Sequence, residues 1–159
     1  MDKFLVKKFG KKQNKKILIR CLTIPKKGFG HLGRCLTLYK ELKKKGFHIE
    51  FLIDDDFNAI NILKKMNIKF STLPQKHKNE NEKILKILSE GKFDGIIFDM
   101  REFNDNLSRG TVHNNYKTII IDDAWGKNAY ADLIINVTMI KDYHKYIKHN
   151  KNSKIFLGT

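Results

Sequence analysis

Short apolar runs alternate with longer amphipathic segments along the chain from Lys15 onward. The runs at residues 96–98, 119–121 and 133–135 contain no polar residue, which is typical of parallel strands covered on both faces. The apolar runs predict strands at residues 17–22, 48–53, 68–72, 95–99, 117–122, 133–137 and 155–157. The amphipathic segments predict helices at residues 31–45, 57–66, 80–90, 103–113 and 140–148.

Strands that alternate with helices indicate an α/β fold. We predict a Rossmann-like three-layer domain with a mostly parallel sheet of about seven strands, joined by right-handed crossovers. Signals for helix ends agree with this pattern. Gly46 follows three lysines and Gly91 follows the third predicted helix, as expected of C-terminal caps. Asp55 or Asp56 is placed to cap the N-terminus of the second helix.

A glycine-rich segment, Gly28-Phe29-Gly30-His31-Leu32-Gly33-Arg34, follows the first predicted strand and opens the first predicted helix. A strand, glycine loop and helix in this order aim backbone N–H groups and the positive end of a helix at an anion. Gly28 and Gly30 can take a positive φ and let a ligand approach the backbone closely, and Gly33 is expected to let the helix pack closely on the sheet. We predict that Gly28, Phe29, Gly30 and Gly33 bind substrate.

The same segment meets the dinucleotide-binding spacing GxGxxG, and the acidic residues 54–56 lie about 20 residues further on, where a ribose-binding acid would stand. NAD binding is the weaker alternative, since no ribose-binding acid is clear at that strand end. A Walker A phosphate loop is excluded because no Gly-Lys-Ser/Thr follows. We predict no cofactor and no metal site, since the histidines lack a coherent ligand spacing.

Two side chains of this segment are candidates for chemistry. The positive end of the predicted helix disfavours a protonated imidazole at His31, and a neutral imidazole can accept a proton. We predict His31 as a catalytic base; a capping or packing histidine is the equal alternative. Arg34 would bind a phosphate as part of the substrate site or form a surface ion pair, and the ion pair is slightly favoured.

Polar residues also end three other predicted strands. Asp99 ends the fourth, Asp122 and Asp123 end the fifth, and Asn136 ends the sixth. Ligands bind beyond the carboxyl ends of the strands in sheets of this kind. We therefore predict that these four residues bind substrate, orienting sugar hydroxyls or the histidine. Turn and cap chemistry is the alternative for the aspartates.

The chain is strongly basic, with 32 Lys and Arg against 17 Asp and Glu and a net charge of +15. The excess is almost entirely lysine and is spread along the chain. This charge alone therefore gives little support to the binding of nucleic acid. We assign residues 1–14 to a mobile basic arm and residues 15–159 to the domain. Cys21 and Cys35 are too few for a disulfide framework, and no membrane span or signal peptide is predicted. These features predict a cytoplasmic protein.

With these residues in place, the chain resembles the UDP-sugar hydrolases of pseudaminic acid biosynthesis. That family belongs to a wider set of spore-coat polysaccharide proteins and is related to the MurG-like GT-B glycosyltransferases. Five segments match in family order across residues 17–159, namely GFGHLGR at 28–34, FDGIIFD at 93–99, IDD at 121–123, ADLIINV at 131–137 and FLG at 156–158.

The resemblance implies the N-terminal domain of a GT-B fold and the hydrolysis of UDP-2,4-diacetamido-2,4,6-trideoxy-β-L-altropyranose to free sugar and UDP. It implies that His31 activates water and that Asp123 and Asn136 lie near the cleft. The family has a second, C-terminal Rossmann-like domain that supplies most of the nucleotide contacts. The sequence ends at Thr159, so we expect that domain to be absent from this chain.

Three functions therefore stand as hypotheses. The first is a nucleotide-sugar hydrolase, or its N-terminal half. The second is the acceptor-binding N-domain of a GT-B glycosyltransferase, in which His31 deprotonates a hydroxyl. The third is a non-catalytic binding or assembly module. The expected partners are a UDP-sugar and either a separate C-terminal domain or a second copy of the chain.

Overall fold

Strands and helices alternate through the computed structural model, which describes residues 14–24, 30–74, 79–100, 104–122, 128–148 and 152–158. Most of the predicted basic arm lies outside these residues. The strands are β1 (Lys16–Cys21), β2 (His48–Asp54), β3 (Phe70–Leu73), β4 (Gly95–Asp99), β5 (Lys117–Asp122), β6 (Asn128–Ala129), β7 (Leu133–Asn136), β8 (Ile147–Lys148) and β9 (Lys154–Leu157). The α-helices are α1 (Gly30–Lys44), α2 (Phe57–Lys65), α3 (Glu80–Glu90) and α4 (Asp105–His113).

Seven of the strands form one parallel sheet in the order β3-β2-β1-β4-β5-β7-β9. β1 lies at the centre of the reversal in strand order, with β2 on one side and β4 on the other. The chain therefore leaves β1 and β4 in opposite directions, and a crevice opens between the two strand ends. The predicted Rossmann-like α/β fold with a parallel sheet is confirmed.

The helices cover both faces of the sheet because successive side chains of a strand point to opposite sides. Ile17 and Ile19 pack in the core that contains the buried side chains of α1 and α2, including Leu42 and Leu63. Leu18 packs in the opposite core, which contains the buried side chains of α3 and α4. Burial of each large aliphatic side chain stabilises the fold by roughly 1.5–3 kcal/mol. Helices on both faces thus explain the continuous apolar strands β4, β5 and β7, whereas the edge strands β3 and β9 keep exposed positions.

The cap signals in the sequence are largely realised. Gly46 follows α1 with a φ of 83°, and the Asp56 carboxylate accepts from the backbone N–H of Ala59 at 2.8 Å as the N-cap of α2. Gly91 is the C-cap of α3, but its φ is −78°, and the left-handed residue is the next one, Lys92, with a φ of 52°.

The helix predicted at residues 140–148 is wrong. A single 3₁₀ turn forms at Lys141–His144, and β8 then pairs in parallel with β6 in a separate two-stranded sheet. The physical reason lies in a long-range contact, because the Asn136 side chain donates to the backbone oxygen of Tyr143 at 2.9 Å. In an α-helix that oxygen would accept from a backbone N–H four residues further on. A tertiary contact takes its place here and overrides the local pattern. None of the described helices is both long and apolar enough to cross a membrane.

The two glycines Gly91 and Gly33 give a matched test of this packing. A Cβ at Gly91 would lie 2.2 Å from Phe93 Cε2 and 2.9 Å from the backbone oxygen of Ile87, whereas a Cβ at Gly33 meets nothing within 4 Å. We expect Gly91→Ala to lower the free energy of unfolding by about 1–3 kcal/mol. Gly33→Ala should raise it by up to about 1 kcal/mol, because alanine favours the helix. Urea unfolding followed by circular dichroism measures both, and equal stabilities would contradict the packing described here.

Candidate functional site

The carboxylate of Asp99 gathers three side chains of α1 in the crevice between β1 and β4. Asp99 is the last residue of β4 and is fully buried. Its Oδ1 lies 2.7 Å from His31 Nδ1, and its Oδ2 accepts from Arg34 Nε at 2.7 Å. Cys35 Sγ approaches the same Oδ2 at 3.3 Å. Because α1 directly follows β1, strand order alone brings these residues together from sequence positions more than 60 residues apart.

The bond to Asp99 fixes the tautomer of His31. A carboxylate only accepts hydrogen bonds, so Nδ1 carries the hydrogen and a neutral imidazole keeps its lone pair on Nε2. Arg34 Nη2 also lies 3.1 Å from Nδ1, but both atoms are then donors, and the guanidinium bonds to Asp99 instead. The side chain of His31 is 7% exposed. The arrangement is that of a base held in one orientation by a buried carboxylate.

The charges around Asp99 keep it ionised. Burial by itself raises the pKa of this carboxyl group, but the hydrogen bonds and positive charge of Arg34, together with His31, outweigh burial and lower the pKa below its ordinary value. Burial raises the pKa of the Cys35 thiol, so this thiol is a donor to Asp99 and not a thiolate. Arg34 therefore forms an ion pair with Asp99, and its side chain is 23% exposed.

The expectation for Gly33 is wrong, and Gly30 does not use its freedom to take a positive φ. Gly30 is the first residue of α1, and Gly46 is the only described glycine with a positive φ. Gly33 is exposed, and the space around its Cβ position is open, so it does not bring the helix close to the sheet. The same open space leaves the backbone of both residues accessible to a ligand. Gly28, Phe29 and Asp123 lie outside the described residues, and their roles stay predictions.

Asp122 and Asn136 belong to a second polar cluster, at the ends of β5 and β7. Tyr146 Oη donates to Asp122 Oδ2 at 2.5 Å, and Asn136 Nδ2 donates to Tyr146 Oη at 2.6 Å as well as to the Tyr143 oxygen. Asn136 Oδ1 accepts from the backbone N–H of Thr138 at 2.9 Å. Burial and the adjacent Asp122 raise the pKa of Tyr146 above its ordinary value. Both amide hydrogens of Asn136 are thus used to hold the segment that follows β7.

A buried ion-pair network on the other face of the sheet was not predicted. Arg20 is 1% exposed and donates from Nη2 to Asp54 Oδ1 at 2.8 Å and from Nε to Glu80 Oε1 at 2.7 Å. Burial lowers the pKa of Arg20, but its bonds to Asp54 and Glu80 more than offset this and the pKa is raised. Thr23 N–H also donates to Asp54 at 2.9 Å. An arginine within an apolar strand was the available signal, because a buried charge requires a partner.

This network bears on the dinucleotide alternative. Asp54 is committed to Arg20 and Thr23 and is 1% exposed, and Asp56 caps α2. Neither of these two carboxylates is placed to bind a ribose, whereas the third, Asp55, is exposed. No group of three or more potential metal ligands occurs among the described residues.

No family model and no curated protein matches the chain. Among solved structures, MurG from Acinetobacter baumannii is similar with a TM-score of 0.60 and 12% identity, over 79% of this chain. The fold is GT-B-like. The chain spans 41% of the length of MurG. A formyltetrahydrofolate deformylase from Burkholderia mallei has a TM-score of 0.47 and 13% identity over 65% of this chain and 36% of its own.

The structural likeness to MurG shows a shared fold and no more. Within this GT-B-like sheet, the His31 cluster (His31, Arg34, Cys35 and Asp99) occupies the reversal in strand order, where open α/β sheets bind their ligands. The cluster combines an imidazole, a guanidinium that is paired with Asp99 and the N-terminus of α1. These groups suit a substrate that carries an anionic leaving group.

The lowered pKa of Asp99 predicts a pH-dependent stability. Asp99 binds its proton more weakly in the folded than in the unfolded chain, so its contribution is complete above the unfolded pKa of about 3.9 and is lost as the pH falls below it. We expect Asp99→Asn to lower the free energy of unfolding by roughly 2–4 kcal/mol at pH 7. The difference from the wild type should shrink at lower pH. Urea unfolding at a series of pH values measures it.

The control is Asp142→Asn, because the Asp142 carboxylate is 86% exposed and only 3.6 Å from a surface lysine. It should leave stability unchanged. A difference between wild type and Asp99→Asn that stays constant through the acid range would contradict the assigned ion pair.

Proposed function

We propose that this chain is a nucleotide-sugar hydrolase of surface-polysaccharide or nonulosonic acid biosynthesis, or the N-terminal half of one, which cleaves a UDP-sugar to free sugar and UDP. One observation carries the proposal: His31 is oriented through Nδ1 by buried Asp99, at the reversal in strand order. The five segments that resemble the UDP-sugar hydrolases support it, because the first includes His31 and the second ends at Asp99.

In this proposal His31 Nε2 takes a proton from water as the water oxygen attacks the substrate. The bond between sugar and UDP breaks, and the electron pair leaves with the diphosphate. Asp99 keeps the Nδ1 hydrogen in place and stabilises the imidazolium that forms, as a carboxylate does beside any catalytic histidine. Backbone N–H groups in the first turn of α1, from Gly30 onward, and the Arg34 guanidinium stabilise the departing negative charge.

Asp122, Asp123 and Asn136 are proposed to bind the sugar from the neighbouring strand ends. For Asn136 this role would fall to its carbonyl oxygen, since its amide hydrogens are used. The partners are a UDP-sugar and either a C-terminal domain on another polypeptide or a second copy of the chain. The reaction is assigned to the cytoplasm, where Cys21 and Cys35 stay reduced.

The likeness to MurG favours one second candidate, the acceptor-binding N-domain of a GT-B glycosyltransferase. The His31 cluster would be unchanged in that case, and Nε2 would deprotonate an acceptor hydroxyl in place of water. A hydrolase releases UDP and free sugar without an acceptor, whereas a transferase releases UDP only as it bonds the sugar to an acceptor. A non-catalytic module would do neither.

The test is UDP release from UDP-2,4-diacetamido-2,4,6-trideoxy-β-L-altropyranose and from UDP-N-acetylglucosamine. The chain is assayed alone and together with the polypeptide encoded immediately downstream. We expect UDP and free sugar, and a loss of at least about 100-fold in kcat for His31→Ala, because general-base catalysis contributes that much or more. His48→Ala is the matched control, since His48 is exposed at the start of β2, and it should retain full activity.

Unchanged turnover in His31→Ala would remove His31 from the chemistry. Sugar transfer that requires an acceptor would replace the hydrolase by the glycosyltransferase. If no turnover occurs, titration of the chain with each UDP-sugar decides between the remaining outcomes, with the His31 imidazole signals followed by NMR. Absence of any shift there would leave only the binding or assembly module.

A further inference from the structure

A cavity lies at the carboxyl end of the sheet, on the face opposite the His31 cluster. It has a volume of about 390 Å³ and opens between the N-terminal ends of α3 and α4. Met100 lines it, and Met100 directly follows Asp99 along the chain. Because successive side chains point to opposite sides of a sheet, Met100 packs in the core of α3 and α4 while Asp99 contacts α1. The two sites are therefore separate.

Side-chain amides dominate the lining of this cavity. Four asparagines line it together with two apolar residues, in the set Asn79, Asn81, Asn104, Asn106, Met100 and Leu107. A side-chain amide carries both a donor and an acceptor, the pairing that a sugar hydroxyl or an acetamido group requires; Asn104 Oδ1 already accepts from the backbone N–H of Asn106 at 2.9 Å. The apolar side chains supply a surface for the C–H face of a ring. Ligand pockets commonly combine an apolar wall with a few polar groups in this way.

The charge of the lining opposes an anionic ligand. Among the lining residues that the structure describes, Glu80 is the one charged side chain, and Arg20 fixes its carboxylate through a 2.7 Å bond from Nε. A carboxylate accepts from hydroxyl groups but repels phosphate and other carboxylates. The positive groups of α1 belong to the other face of the sheet. A phosphate group is thus suited to the His31 cluster and a neutral ligand to this cavity.

Asn81 connects the cavity to α4. Its Oδ1 is buried and is the one such side-chain atom, within the described part of the chain, that has no hydrogen-bond partner. A buried carbonyl without a donor is costly; because this oxygen is buried against α4, a hydroxyl in the cavity supplies the missing bond only when the Asn81 side chain turns toward it. The amide lies against Gly110, where a Cβ would stand 2.3 Å from Oδ1. The missing side chain at Gly110 is what makes room for Asn81.

We propose that this amide-lined cavity binds a neutral carbohydrate, in particular a sugar that carries hydroxyl and acetamido groups. This binding goes beyond the hydrolase assignment, since it requires neither UDP nor His31. The cavity gives the domain a second contact with a saccharide, separate from the reacting group.

The experiment is an NMR titration of the ¹⁵N-labelled chain with N-acetylglucosamine, with glucose and with inorganic phosphate, each in the millimolar range. We expect N-acetylglucosamine to shift the amide signals of the cavity residues. Asn106→Ala should weaken the affinity about five- to tenfold, because one hydrogen-bonding side chain is lost. Gly110→Ala should do the same without altering a lining residue, because its Cβ displaces Asn81.

The matched control is Asn58→Ala, which removes an exposed asparagine of α2 and should leave the affinity unchanged. His31→Ala should also bind the sugar normally, so this proposal and the hydrolase proposal can fail independently. The dispersion of the amide signals verifies that each variant is folded. The proposal is overturned if neither sugar shifts the cavity signals, if both cavity variants bind as well as the wild type, or if phosphate binds there instead.

Discussion

The hydrogen bonds of Asp99 are the interaction on which the arrangement at the crevice depends. A fully buried carboxylate at the end of β4 is stable only when positive and donor groups surround it. α1 provides those groups from three residues within about one turn and a half. The same bonds therefore fix the position of α1 on the sheet, the tautomer of His31 and the charge of the site. One set of contacts thus holds the helix on the sheet and orients the His31 imidazole.

The sheet carries a buried carboxylate on each of its faces, and the two differ in their partners. Asp54 bonds to an arginine that is itself almost fully buried, and Glu80 joins the pair from α3. Such a network tolerates no change of protonation, because any loss leaves an uncompensated charge inside the protein. Asp99 instead shares its negative charge between a partly exposed guanidinium and an imidazole that can gain or lose a proton. Only the second arrangement is suited to proton transfer.

The sequence predicts most of this architecture because the signals involved are local. The bounds of β4 and β5 agree with the apolar runs, and the cap at Asp56 follows from residue type. The meeting of His31 with Asp99 follows from topology, since residues that leave neighbouring parallel strands share an edge. The ion pair of Arg20 could be expected, but its partners could not be identified, because Asp54 and Glu80 lie 34 and 60 residues away. The helix predicted at residues 140–148 is wrong for the same reason, since a contact with the Asn136 side chain decides the conformation of that segment.

The shared carboxylate gives the His31 cluster a property that no member has alone. The charges of Arg34 and Asp99 cancel. The net charge of the cluster is therefore zero with a neutral imidazole and +1 with an imidazolium. Proton uptake and anion affinity are then linked, and by thermodynamic reciprocity each must favour the other to the same extent. In the proposed function, the diphosphate of the substrate and a proton on the histidine would favour each other. The His31 cluster would then couple the binding of negative charge to the uptake of a proton at one end of a helix.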